Sequence, residues 1–157
     1  DFEMSFFLQD GSLYCEGLRV KDLQKQVRHS PFYLYSAGQI RENYAAYAAA
    51  FQGLSATISY AVKANNNLTI LKMLRGLGCG ATLVSGNELR LALAAGFEPQ
   101  HMILNGNGKT LDDLRLAASC GAMVNVDSAF DLAHIQQVSK TLGRSIDVLL
   151  RMKPKKY

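Results

Sequence analysis

From Ile58 to Leu150 the chain repeats one unit: a short apolar run, a polar turn, a helical stripe and a glycine. No other feature limits the fold as strongly. Apolar runs at Ile58–Val62, Ala81–Val84, His101–Leu104, Ala122–Val126 and Ile146–Leu150 predict five strands, whose starts lie about 20 to 25 residues apart. Between them the period becomes helical. Stripes run through Leu68, Leu71, Leu74 and Leu77, then Leu89, Ala92 and Leu93, then Leu114, Ala117 and Ala118, then Leu132, Ile135, Val138 and Leu142. Helix starts at Ser85-Gly86-Asn87-Glu88, Thr110-Leu111-Asp112-Asp113 and Ser128-Ala129-Phe130-Asp131 read as capping boxes. In such a box the hydroxyl accepts from a first-turn amide, and the acid three residues on accepts in return. Glycines at 76, 78, 96, 121 and 143 mark the stops.

Strand, capped helix and glycine stop, repeated, predict a parallel α/β architecture. Leucine-rich repeats share this repeat length, but their L-x-L-x-x-N core is missing. A doubly wound sheet and a (β/α) barrel remain. The absence of G-x-G-x-x-G after the first parallel strand favours a partial (β/α)8 TIM-type barrel of about five βα units. The first 57 residues differ. Phe6–Leu8, a turn at Asp10-Gly11 and Leu13–Cys15 predict a hairpin. Ser30–Ser36 reads as a further strand, and Ile40, Tyr44, Tyr47, Ala48 and Phe51 as an amphipathic helix.

Composition excludes some function classes. The net charge is +4, but Lys153, Lys155 and Lys156 supply three of those charges. The remainder carries no nucleic-acid footprint. No apolar run reaches the ~18 residues that span a membrane, and no targeting peptide is visible at the start. Cys15, Cys79 and Cys120 are odd in number and lack a C-x-x-C pair, which argues against zinc and against a disulfide framework. Cys79 and Cys120 read as small buried thiols, consistent with a soluble intracellular setting. His29, His101 and His134 have no ligand spacing. "NGNGKT", Asn105 to Thr110, ends like a phosphate loop, but Ile103 stands where that pattern needs its first glycine. It reads as a strand-to-helix turn.

Lys63 stands out. It ends the first parallel strand, in "SYAVKANNN". From position alone it is either a strand-end lysine reaching water or an amine placed for chemistry. At the C-terminal end of a barrel strand, partial desolvation would favour the neutral amine and Schiff-base chemistry. Asn65 to Asn67 are placed to bond backbone groups freed at the strand end.

The blocks "YAVKANNNLTILKMLRGLGCGATLVSGNELRLALAAGF", "LNGNGK", "VNVDS" and "VLLRMKP" resemble, in order and spacing, the diaminopimelate decarboxylases. These are pyridoxal-phosphate enzymes of the alanine-racemase-type barrel family. "CGATLVSGNEL" is most similar to plant versions, which implies a chloroplast stroma location if the source is a plant. The resemblance implies conversion of meso-2,6-diaminopimelate to L-lysine and CO2, with pyridoxal 5'-phosphate held on Lys63 as a Schiff base. It further implies Arg151 near the cofactor ring, Glu88 as an acid behind the site, and a homodimer. On this basis residues 1–35 are an N-terminal β segment of a second β-domain, and 36–157 an incomplete cofactor-binding barrel. Thr82 and Asn87 depart from the aspartate and glycine of many relatives. After Arg151 the family continues into the rest of its barrel, where this chain reads "MKPKKY". The family's stacking histidine, phosphate-binding glycine loop and acid at the pyridine nitrogen all lie in that continuation. The 157 residues alone are therefore expected to be inactive, as a natural short product or an excised portion. The alternative is a non-catalytic truncated subunit or cofactor-binding module that interacts with full-length enzyme.

Overall fold

The computed structural model describes residues 5–152; the basic tail at Lys153, Lys155 and Lys156 lies outside them. The chain divides into two compact units, Asp1–Leu54 and Ser55–Tyr157.

In the first unit, β1 (Phe6–Gln9), β2 (Ser12–Cys15) and β3 (Leu18–Arg19) form an antiparallel meander. Asp10 and Gly11 have φ of 48° and 70°. Two positive φ values make the tight hairpin turn whose twist matches the strands, and Gln9 pairs directly with Ser12. Phe7 lies opposite Tyr14, and their rings stack at 5.4 Å. Two helices follow, α1 (Val20–Val27) and α2 (Ala37–Ala50). The first was not expected, although Val20, Leu23 and Val27 carry its period. Ser36 caps α2 by accepting from Gln39 N–H at 2.9 Å. Glu16 accepts from the Ser36 hydroxyl and the Gly38 amide, and these bonds hold its carboxyl below the ordinary range. The strand expected at Ser30–Ser36 does not form: the segment has no ladder partner among the described residues, and Pro31 lacks the N–H a ladder needs.

The second unit holds β4 (Ser59–Ala61), β5 (Gly80–Leu83), β6 (Met102–Leu104), β7 (Met123–Val126) and β8 (Val148–Leu150). Between them lie α3 (Leu68–Gly76), α4 (Gly86–Ala95), α5 (Leu111–Cys120) and α6 (Ala129–Leu142). The five strands are parallel and stand in chain order, β4-β5-β6-β7-β8. Sequential order without reversal is the arrangement of a barrel segment; a doubly wound sheet reverses at a switch point. All five expected strands are present; four are shorter than their apolar runs, and β5 keeps its length but starts one residue earlier, at Gly80.

Register and burial divide the sheet into two faces. Ala81, Leu83, Met102, Leu104 and Val124 are fully buried and join Leu71, Leu89, Leu114 and Val138 of the helices in one core. Ala61, Thr82, Ile103 and Met123, of the opposite parity, are only half-buried. Val148, Leu149 and Leu150 of the β8 edge are exposed by 41%, 40% and 71%. Among the described residues, the second face is only partly buried and the β8 strand is exposed.

Gly80 shows how tightly the strands begin. A Cβ there would stand 2.7 Å from the His101 backbone oxygen and 2.8 Å from Ser59 Oγ. A backbone oxygen between two paired strands has no room to retreat. Gly80→Ala is therefore expected to destabilise the fold by about 1–3 kcal/mol, measured by urea denaturation; an unchanged midpoint would show that β4 and β6 separate freely.

Candidate active site

The strands are parallel, so their C-terminal ends share one edge of the sheet, and helices α3 to α6 begin there. Four polar caps hold those helix starts. Asn67 Oδ1 accepts from Thr69 N–H at 2.9 Å and Ile70 N–H at 3.4 Å, and Asn65 Oδ1 accepts from Asn67 N–H at 2.9 Å. Ser85, Thr110 and Ser128 accept from the amides of Glu88, Asp113 and Asp131.

Only Thr110–Asp113 closes the reciprocal box that the sequence suggests for all three. In the other two, the acid reaches one residue further back. Glu88 accepts from Val84 N–H at 2.8 Å, and Asp131 from Asp127 N–H at 3.1 Å. These acids tie each helix start to the strand end before it. Asp113 also spans two repeats, accepting from Gly86 N–H at 2.7 Å.

Desolvation pushes the Asp113 carboxyl up, but the Thr110 amide and hydroxyl and the Gly86 amide outweigh it and leave it below the ordinary range. Its charged form therefore stabilises the fold. That stability is present above the ordinary aspartate range near ~4, and is lost as pH falls through the lowered folded value. Asp113→Ala is expected to cost about 1 kcal/mol at neutral pH. The difference from the parent should shrink in melts taken below the ordinary aspartate range, and a cost unchanged by acid would refute the electrostatic account.

Lys63 lies two residues past the end of β4, in a 3-10 turn at Val62–Ala64. Val62 is completely buried and takes the inward place. The tight turn then carries Lys63 outward, and its side chain is exposed rather than partly desolvated as expected. Among the described residues its amine makes no hydrogen bond or ion pair. Arg151 follows β8 on the same edge, its amide bonded to Val126 O at 3.0 Å. Its guanidinium reaches Asp127 Oδ1 at 3.3 Å and is 55% exposed.

A residue read from sequence as part of a turn proves central. The Lys109 side chain is wholly buried, and its ammonium lies 2.8 Å from Asp131 Oδ2 and 3.3 Å from Asp127 Oδ2. It also donates to Gly106 O. Asn125 Nδ2 joins the cluster, donating to Asn105 Oδ1 at 2.9 Å and Asp127 Oδ1 at 3.3 Å. The sequence signal was faint: a lysine and two acids beside strand ends, in neighbouring repeats.

The cysteines and two histidines sit in ordinary packing. Cys79 is buried and donates to Ile58 O at 3.2 Å, and burial pushes its thiol up; Cys120 is only half-buried. His101 faces Glu98 at 3.9 Å, and His134 packs against Phe130. No helix among the described residues is long and apolar enough to cross a membrane.

Known proteins resemble the chain in both sequence and fold. The chain is 57% identical over 145 residues to a probable chloroplastic diaminopimelate decarboxylase of Oryza sativa subsp. japonica, covering 92% of this chain and 30% of that protein. A diaminopimelate decarboxylase of Pseudomonas aeruginosa is 38% identical, covering 96% of this chain and 36% of its own length. The crystal structure of the diaminopimelate decarboxylase of M. jannaschii superposes with a TM-score of 0.90 at 33% identity, over 96% of this chain and 36% of that one. The chain thus spans about a third of the length of these relatives. The family model described as the pyridoxal-dependent decarboxylase, pyridoxal binding domain, matches residues 37–157, from the first residue of α2 onward. With more than half its length matched, the chain belongs to the pyridoxal-dependent decarboxylases, through their pyridoxal binding domain.

Proposed function

We propose that this chain is the cofactor-holding portion of a diaminopimelate decarboxylase, which converts meso-2,6-diaminopimelate to L-lysine and CO2. The observation that carries this is Lys63: an exposed amine, unpaired among the described residues, at the C-terminal edge of a parallel sheet that matches decarboxylases of this name. The residues fit a pyridoxal group. Lys63 Nζ is free to hold its aldehyde carbon, and Arg151 brings a positive charge to the same edge. When bound, pyridoxal phosphate supplies the electron sink that accepts the electrons left when CO2 departs. The chain's own task is to anchor and orient. Lys63 holds the group, Asp127 restrains Arg151 beside it, and the capped helix starts keep that edge rigid. Glu88 acts from behind through the Val84 amide.

Residues 1–35 fit the role of an N-terminal β segment of a second β-domain, and 36–157 that of an incomplete barrel. A homodimer and a chloroplast stroma location follow the same reading; the rice relative is named chloroplastic.

The test is release of CO2 from meso-diaminopimelate by the full-length protein loaded with pyridoxal phosphate, with L-lysine and L-arginine as competing substrates. Preference for meso-diaminopimelate is the expected result; cofactor binding without turnover would favour a non-catalytic binding module instead. The 157 residues expressed alone are expected to release no CO2, because, among the described residues, one sheet face is only partly buried and strand β8 is exposed.

A further inference from the structure

Lys109 is buried beyond what a turn requires. Its ammonium has three protons and three acceptors: Gly106 O, Asp127 Oδ2 and Asp131 Oδ2. Asp131, at 2.8 Å, would by itself balance one buried lysine. The second carboxylate is thus surplus to the pairing, and its geometry shows its use. Asp127 gives Oδ2 to Lys109 and turns Oδ1 toward Arg151 and Asn125. Two cations and two carboxylates balance only when Arg151 is included.

Arg151 alone is weakly held. It is 55% exposed and offers one donor at 3.3 Å. Exposed pairs of this kind gain little, because ordering two mobile side chains offsets the attraction. Here one partner is already ordered. Lys109 clamps one Asp127 oxygen, Asn125 holds the other, and Asp131 accepts from the Asp127 backbone amide. The guanidinium docks on a carboxylate that has little freedom left to lose.

We propose that Lys109 is a positioning residue for Arg151: acting through Asp127, it fixes the guanidinium at the C-terminal edge and so sets the affinity for the pyridoxal cofactor. This rests on the reading of that edge as the cofactor site.

The test is a double-mutant cycle on the full-length protein, titrated with pyridoxal phosphate and read by absorbance. Lys109→Met and Arg151→Gln are each expected to raise the cofactor Kd by about tenfold. The double variant should bind no more than about twofold more weakly than Arg151→Gln alone, since coupled residues do not add. Asp127→Asn, which keeps Lys109 paired with Asp131, is the second variant if Lys109→Met does not fold, and should give the same loss. A merely structural role for Lys109 would weaken binding equally in both backgrounds, and that result overturns the proposal, as does an unchanged Kd in both Lys109→Met and Asp127→Asn. Borohydride reduction of the parent separates this from failure of the underlying reading. If Lys63 is labelled and Arg151→Gln weakens binding but the effects add, only the Lys109 inference falls. If Lys63 is not labelled, or Arg151→Gln binds normally, the cofactor-site reading falls and takes the inference with it.

Discussion

Lys63→Arg is expected to abolish borohydride-fixed cofactor at this site and to lower decarboxylation by about a thousandfold, within the range that one reacting side chain contributes. Arginine keeps the length and the positive charge, but its guanidinium stays protonated and offers no free amine. The substitution therefore separates charge from nucleophilicity. The side chain is exposed and has no partner among the described residues, so stability should not change. The checks are peptide mapping after reduction in the presence of pyridoxal phosphate, a turnover assay and a urea melt on the full-length protein. Cofactor still fixed at residue 63's peptide, or at another lysine with full turnover, would remove Lys63 from its assigned place. A large loss of stability would show that the lysine supports the fold as well.

The second large effect concerns stability. Lys109→Met removes a buried cation and leaves Asp127 and Asp131, each with side chains only 10% exposed, facing one another across the vacated place. Breaking a buried pair from one side strands charge in a poorly solvated site, and the expected cost is about 3–5 kcal/mol. Adding Asp127→Asn and Asp131→Asn to the same chain should recover much of that loss, because the stranded charge goes with them. Paired denaturation curves decide it: a single substitution costing less than ~1 kcal/mol, the value of an exposed pair, would mean that water reaches the cluster. This measurement is independent of the cofactor, so it holds whatever reaction the edge supports.

Much of this was legible in residue order. Helix starts follow from Asn67, Ser85, Thr110 and Ser128, each of which caps its own helix by local hydrogen bonds. Helix stops at Gly96, Gly121 and Gly143 follow from left-handed backbone that glycine adopts readily. The hairpin followed from Asp10-Gly11. Where the reading failed, the cause was non-local or marginal. Ser30–Ser36 has strand-like residues but no partner strand among the described residues. The helix Val20–Val27 is two turns long and buries no residue, so its apolar signal is weak. Lys63 was expected to be partly desolvated because strand ends in a barrel are often enclosed, yet enclosure depends on what covers that edge.

Local chemistry, then, determined the order of elements, the parallel βα repeat and the amine at its first strand end, because periodicity, caps and turns act over a few residues. Only the tertiary structure decided the state of the site. Lys109 lies 18 residues from Asp127, and the pair meets only because β6 and β7 lie side by side. Asp127 lies 24 residues from Arg151 and meets it only because β8 pairs with β7. Burial of a charge depends on neighbours brought by the sheet, and no spacing in the chain encodes that directly.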